Sequence, residues 1–270
     1  MWHLIGGRIR QLAIATGFSM CVLAPVASAA GGLPELQSLL AGAAWEAKAP
    51  GIERLAVPQA LSGVFSAYRL AQDKVTARVL GQLEASGSPV GDVAAHSGAS
   101  LTINGGYFWI KPDGALAPTG LLVTGGVRQA PLNKCRACTA LLITDGKGLH
   151  ISRPSAFKSK RGIESALQAG PMLVDGGRLM AFNPDGPAAA RTAICLSGAS
   201  IIAVVSLREI TLAELASMLL ARRADGGFDC TQAINLDGGS SSQLLANLPG
   251  GQERLGLPRP VQNMIGFFPR

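Results

Sequence analysis

Residues 233–242 read Ala-Ile-Asn-Leu-Asp-Gly-Gly-Ser-Ser-Ser, and no other stretch restricts the fold as much. Ile234 and Leu236 alternate with Asn235 and Asp237, the two-residue period of a strand with one apolar and one polar face. That strand stops at Gly238 and Gly239, where the chain can take positive φ or let a ligand approach the backbone closely. The polar face therefore delivers an amide and a carboxylate to the strand's end. Successive N–H groups with the Ser240 and Ser241 hydroxyls form a natural anion cradle. An ordinary turn would use the same residues, with Asp237 and the serines satisfying its N–H groups. A second stretch shifts the balance toward function. Residues 101–108, Leu-Thr-Ile-Asn-Gly-Gly-Tyr-Phe, repeat the design: an apolar strand, then Asn104, then Gly105 and Gly106. Here the glycines precede aromatics that could wall a pocket.

The rest of the chain agrees with a strand-rich fold. Residues 64–70 and 75–80 alternate around a turn at Gln72-Asp73-Lys74. Residues 119–123, 140–144, 191–195, 201–205 and 261–268 also read as strands. Thr124-Gly125-Gly126, Asp145-Gly146-Lys147 and Ser197-Gly198-Ala199 are hairpin turns between them. Gly170-Pro171 introduces a further run that ends in the tight turn Asp175-Gly176. One helix is clearly marked. Thr211-Leu212-Ala213-Glu214 is a capping box, and Leu212, Leu215, Ala216 and Leu219 make one apolar stripe. Arg222 and Arg223 then suit the negative helix end. Shorter helices are expected near residues 36–45 and 91–96. Apolar residues make up 48 % of the chain and glycine 34 positions, enough for a sizeable core with many tight turns. These features predict an α+β fold: a mixed β-sheet core with a few flanking helices in a single domain.

The first residues read as an export signal. Arg8 and Arg10 precede an apolar run over residues 12–26, and Ala27-Ser28-Ala29 is a cleavage pattern. The expected layout is a signal peptide over 1–29, an N-terminal arm over 30–59 and the domain over 60–270. A periplasmic or secreted location follows, with no stable membrane span after cleavage. Four cysteines remain: Cys135, Cys138, Cys195 and Cys230. In an oxidising compartment an even count favours disulfides. Three connectivities are open, one of which closes Cys135 on Cys138 and leaves Cys195 with Cys230. The formal charge is +7, scattered without an aromatic-interleaved basic stripe, so no nucleic-acid partner is expected. Residues 153–162 carry four cations and no acid and read as an exposed loop. Neither paired His nor a second CxxC offers a zinc site.

Four motifs occur in order: Asn-Gly-Gly-Tyr-Phe at 104–108, Gln-x-Gly-Pro-Met-Leu at 168–173, Arg-Thr-Ala at 191–193, and Asn-Leu-Asp-Gly-Gly-Ser-Ser at 235–241. Together they resemble the phosphodiester glycosidase family, over roughly residues 60–268. The stretch 168–238 also resembles a bacterial branch of exported proteins. The resemblance implies one α+β domain that hydrolyses a sugar-phosphodiester linkage. It implies catalytic roles for Asp237, Asn235 and Arg191. It implies substrate contacts from Asn104, Gly105, Gly106, Gly238, Gly239, Ser240, Ser241 and Arg259. Arg259, Val261 and Asn263 resemble the family's C-terminal Arg-x-Val-x-Asn pattern. Ser240 stands where many members have a third glycine. Other members have glycine at Cys195, which suits a local disulfide to Cys230. No cofactor or metal is expected, and the expected partner is a glycan or sugar phosphodiester. Two other readings use the same residues. One is a non-catalytic carbohydrate-binding protein. The other is a hydrolase in which Asp237 and another carboxylate hold a divalent cation such as calcium.

Overall fold

The computed structural model describes residues 32–157 and 162–270; the expected signal peptide lies outside them, as do Lys158, Lys160 and Arg161 of the basic loop. The fold is strand-dominated, with three α-helices among the described residues. Three sheets share its core. The largest has eight strands in the order Trp45–Ala49, Ile52–Leu55, Phe65–Ala71, Ser200–Ile210, Ala189–Ser197, Gln232–Asn235, Met172–Asp175 and Arg178–Leu179. A second runs Gly148–Ser152, Ala140–Asp145, Ile163–Ala169, Leu122–Thr124 and Val127–Ala130. A third runs Gly251–Leu255, Leu244–Leu248, Leu101–Asn104, Asn263–Pro269 and Val75–Gly81. A short ribbon pairs Phe108–Ile110 with Leu116–Pro118. Pairing within each sheet is antiparallel, so the expected mixed sheet is corrected. The chain joins neighbouring strands by tight Gly-containing hairpins, which only antiparallel neighbours allow.

The large sheet is buried on both faces. Along Ser200–Ile210, Ile201, Ala203 and Val205 enter a cluster shared with Ile103, Leu142 and Ile265 of the other two sheets. Ile202 and Val204 face the opposite way, under Leu36, Leu40, Leu215 and Leu219 of two helices. A strand covered on both sides needs apolar residues at successive positions, as this one has.

The helix Leu212–Leu220 carries the predicted capping box: Glu214 N donates to Thr211 Oγ1 (3.1 Å) and Thr211 N to Glu214 Oε2 (2.8 Å). The other Glu214 oxygen accepts from Leu33 N (3.1 Å) and ties in the helix Leu33–Leu40. Arg222 and Arg223 do something other than expected. Arg222 pairs with Asp225, while Arg223 donates to the carbonyls of Leu40 and Ala43 and so complements the C-terminus of the first helix. That helix ends at Leu40, short of the expected residue 45, and Trp45 opens a strand. Residues 32–59 supply a core-packed helix and two strands of the large sheet.

Both disulfides close locally, Cys135 with Cys138 and Cys195 with Cys230. The second ties the strand Ala189–Ser197 to the approach of Gln232–Asn235. A clasp joins the large and third sheets across their edges. Arg54 Nε and Nη2 donate to both Glu253 oxygens (2.6 and 2.8 Å), and Tyr68 Oη donates to Glu253 Oε2 (2.5 Å).

Candidate active site

Both Gly-Gly turns meet at one seam between the large and third sheets. Asn104, at the end of its strand, is fully buried, and both ends of its side-chain amide are engaged. Its Nδ2 donates to the carbonyl of Asp237 (2.8 Å), and its Oδ1 accepts from Thr192 Oγ1 (2.7 Å) and Gln243 N (3.0 Å). Asp237 N donates to the Gly105 carbonyl (2.9 Å). Asn104 thus holds the backbone that presents Asp237.

The glycines serve close approach more than turning. Asn263, in the last strand, accepts from Gly105 N through its carbonyl (2.9 Å) and from Gly106 N through Oδ1 (2.7 Å). A Cβ on Gly105 would lie 2.0 Å from Asn263 Oδ1. Gly238 is extended (φ −126°), and a Cβ there would lie 2.7 Å from the Ala190 carbonyl. Only Gly239 has the left-handed φ of +58°. Residues Gly239–Ser241 form a single 3-10 turn, in which Ser241 N and Ser242 N donate back to Gly238 O and Gly239 O. Gly238 N donates to Asp237 Oδ1 (2.9 Å). The expected anion cradle is therefore narrower. Among the described residues, the N–H groups of Gly239 and Ser240 alone in this turn keep no acceptor. Ser240 is exposed, and the Ser241 hydroxyl favours the charged form of Asp237.

Burial pushes the Asp237 carboxyl above the usual carboxylate range, against the pull of the Ser241 hydroxyl and Gly238 N–H. No cation is hydrogen-bonded to it. The nearby guanidinium is Arg191, whose Cδ lies 3.9 Å from where a Gly238 Cβ would stand. Arg191 is half-buried and held by carbonyls: Nε donates to Ile210 O (3.0 Å) and Nη2 to Pro187 O (2.7 Å). It pairs with no carboxylate among the described residues. Burial lowers its pKa, yet an arginine stays protonated.

Tyr107 stands between the two charges. Burial raises its phenol; the Asn235 amide and Arg191 pull it down, and Asp237 pushes it up. The phenol donates to Gly170 O (2.5 Å) and accepts from Asn235 Nδ2 (3.1 Å). Asn235 Nδ2 also donates to the carbonyls of Gly170 (2.9 Å) and Leu236 (2.6 Å), so the amide is oriented and its buried Oδ1 has no protein partner. The Gly170–Pro171 peptide is cis. Arg259 is exposed. It joins the neighbourhood through its carbonyl, which accepts from Gln243 Nε2 (2.8 Å), not through its guanidinium.

The structure thus gathers Asn104, Gly105, Gly106, Arg191, Asn235 and Asp237 with the 238–241 turn. Sequence reasoning gave no role to Thr192 or Gln243, and it gave Tyr107 and Asn263 no specific one. Tyr107 and Thr192 lie inside the quoted motifs, and Asn263 within the C-terminal pattern, so adjacency was a usable signal for all but Gln243. Among the described residues, no group of three His, Cys, Asp or Glu side chains is placed to hold a metal ion, and no helix is long and apolar enough to cross a membrane.

The sheet seam therefore holds one carboxyl and one guanidinium without an ion-pair partner among the described residues. The phosphodiester glycosidase family model matches residues 97–268, and the chain belongs to that family. The catalytic domain of zebrafish N-acetylglucosamine-1-phosphodiester alpha-N-acetylglucosaminidase, auto-inhibited by its pro-peptide, is similar in fold. It has 16% identity and a TM-score of 0.54, with 84% of this chain and 82% of that chain covered. A hypothetical protein from Synechocystis is similar at 16% identity and a TM-score of 0.53, with 82% of this chain covered. The match spans 62% of the Synechocystis chain. No curated protein matches significantly. The helix Leu33–Leu40 and the first four strands lie before the family match yet complete two of the sheets.

Proposed function

We propose that the chain hydrolyses a sugar-1-phosphodiester, in the periplasm or outside the cell, on an envelope or extracellular glycan. The observation that carries this reading is the half-buried Arg191 guanidinium, which pairs with no carboxylate among the described residues and whose side chain reaches the Gly238 turn that follows Asp237. A desolvated cation without a partner favours an anionic ligand, and a phosphodiester supplies one. The reaction breaks the bond between the anomeric carbon and the phosphate oxygen. The electron pair leaves with the phosphate monoester, a weak base that needs little protonation. Glycoside cleavage ordinarily uses two carboxylates; this leaving group relaxes the need for the acid. Asp237 acts as base toward water or as nucleophile. Arg191, with the free N–H groups of Gly239 and Ser240, stabilises the phosphate charge. Asn235 is held by Tyr107 and Gly170 with Oδ1 open to a donor, and Asn104 positions Asp237 from behind.

The test uses purified protein, a panel of sugar-1-phosphodiesters and the Asp237→Asn variant, with and without chelator. Free sugar released by wild type only, regardless of chelator, is the expected result. Saturable binding without release would replace the enzyme by a carbohydrate-binding protein. Loss of release with chelator would put a divalent cation into the site.

A further inference from the structure

The ribbon Phe108–Ile110/Leu116–Pro118 leaves the first Gly-Gly turn directly, and its two faces differ. Phe108 packs against the cluster of Val90, Val93, Val261 and Met264 and anchors one face. Thr119 N donates to Tyr107 O (2.9 Å), so the antiparallel ladder extends one step back to Tyr107. Alternation then puts Tyr107 and Trp109 together on the other face, about 6.6 Å apart along the strand. Tyr107 is held in the site through Gly170 and Asn235. Trp109, one step outward, is 52% exposed.

A tryptophan is usually mostly buried, because its ring carries so much apolar surface. Here the ring is left open two residues along the strand from Tyr107, which the site's hydrogen bonds hold. The apolar exposure on this face is essentially one ring, since the exposed Ile110 lies on the anchored face's side. That area is far below the roughly 800 Å² per partner of a stable protein interface. It matches one pyranose, whose C–H face is apolar and whose edge hydroxyls stay in water.

We propose that the Tyr107–Trp109 face is a sugar-stacking platform, which makes the substrate an oligosaccharide or polysaccharide chain rather than a single sugar phosphodiester. This inference rests on the glycosidase reading for the platform's purpose, but its binding can be measured without turnover.

The experiment titrates uncharged gluco-, N-acetylgluco- and manno-tetraoses, with their monosaccharides, against wild type, Trp109→Ala, Trp109→Phe and Asp237→Asn. Binding is read by calorimetry and tryptophan fluorescence. At least one tetraose is expected to bind saturably and perturb fluorescence, roughly tenfold tighter than its monosaccharide. Trp109→Ala should abolish that advantage, Trp109→Phe should keep most of it, and Asp237→Asn should keep all of it. Equal tetraose affinity for wild type and Trp109→Ala, or no tetraose binding at all, overturns the platform. Tetraose binding that depends on Trp109 without cleavage of any phosphodiester would retain the platform and remove the glycosidase reading. Concentration-dependent self-association that Trp109→Ala abolishes would assign the ring to a second copy of the chain and overturn the proposal.

Discussion

Two half-buried carboxyls, Asp237 and Glu253, answer to partial burial in opposite ways. Burial by itself would raise both. At Glu253 the hydrogen bonds from Arg54 and Tyr68 outweigh it and hold the carboxyl below its usual range. At Asp237 burial prevails, because only a hydroxyl and one N–H face the carboxylate while the guanidinium nearby is tied to carbonyls. A matched charge clasps two sheets together. An unmatched one is kept at a cost in stability.

The contrast can be broken by experiment. The largest expected effect is on turnover. Asp237→Asn should lower kcat by about 10³-fold, within the span for loss of a positioned base or nucleophile. Its melting temperature should match or exceed that of wild type, because a buried charge is removed. A parallel drop in both quantities would make Asp237 structural. Next comes Arg191→Gln, expected to cost about 10²-fold in kcat/KM, the scale of a lost charge-stabilising group. Rescue by a neutral, phosphate-free glycoside but not by a phosphodiester would confirm which charge it meets. Glu253→Gln should leave kcat unchanged and destabilise by about 1–2 kcal/mol by urea unfolding, since Arg54 loses its partner in a partly exposed setting.

The smallest effect is on pH dependence, and the two residues should differ in sign. A raised folded pKa means the folded state binds its proton more tightly. Asp237's contribution is therefore fully present below its unfolded pKa and is lost as pH rises through the folded value. Glu253's contribution is present above its unfolded pKa and is lost as pH falls through its lowered folded value. Unfolding free energies of wild type and the two variants, measured from acid to neutral pH, should show the Asp237→Asn gain widening and the Glu253→Gln loss growing as pH rises. The acid limb of kcat/KM should also lie above the ordinary aspartate range.

Much of the strand plan was readable because alternation and Gly-containing turns are local signals. The hairpin around Gly198 and the capping box at Thr211 each depend on residues a few positions apart. Sheet membership was not readable, because Ile52 and Leu55 are buried among residues that lie far along the chain. Arg223 shows the same limit: its position after one helix suggested that helix's end, and it serves another. At the site, the motifs exposed the right backbone but not the division of labour. The resemblance implied a substrate contact for Asn104, and the sequence held no sign of what surrounds its side chain. Only the three-dimensional seam shows that Thr192 and Gln243 occupy its acceptor.

Asn263 holds both N–H groups of the Gly105–Gly106 turn, and that turn's carbonyl holds Asp237. The order of synthesis therefore governs when the site can exist. A chain emerging from its N-terminus carries Asp237 well before residue 263 arrives to set the opposing turn. Until that last strand docks, the Gly105 carbonyl that receives Asp237 N lacks its own support, and Asn104 alone holds that backbone.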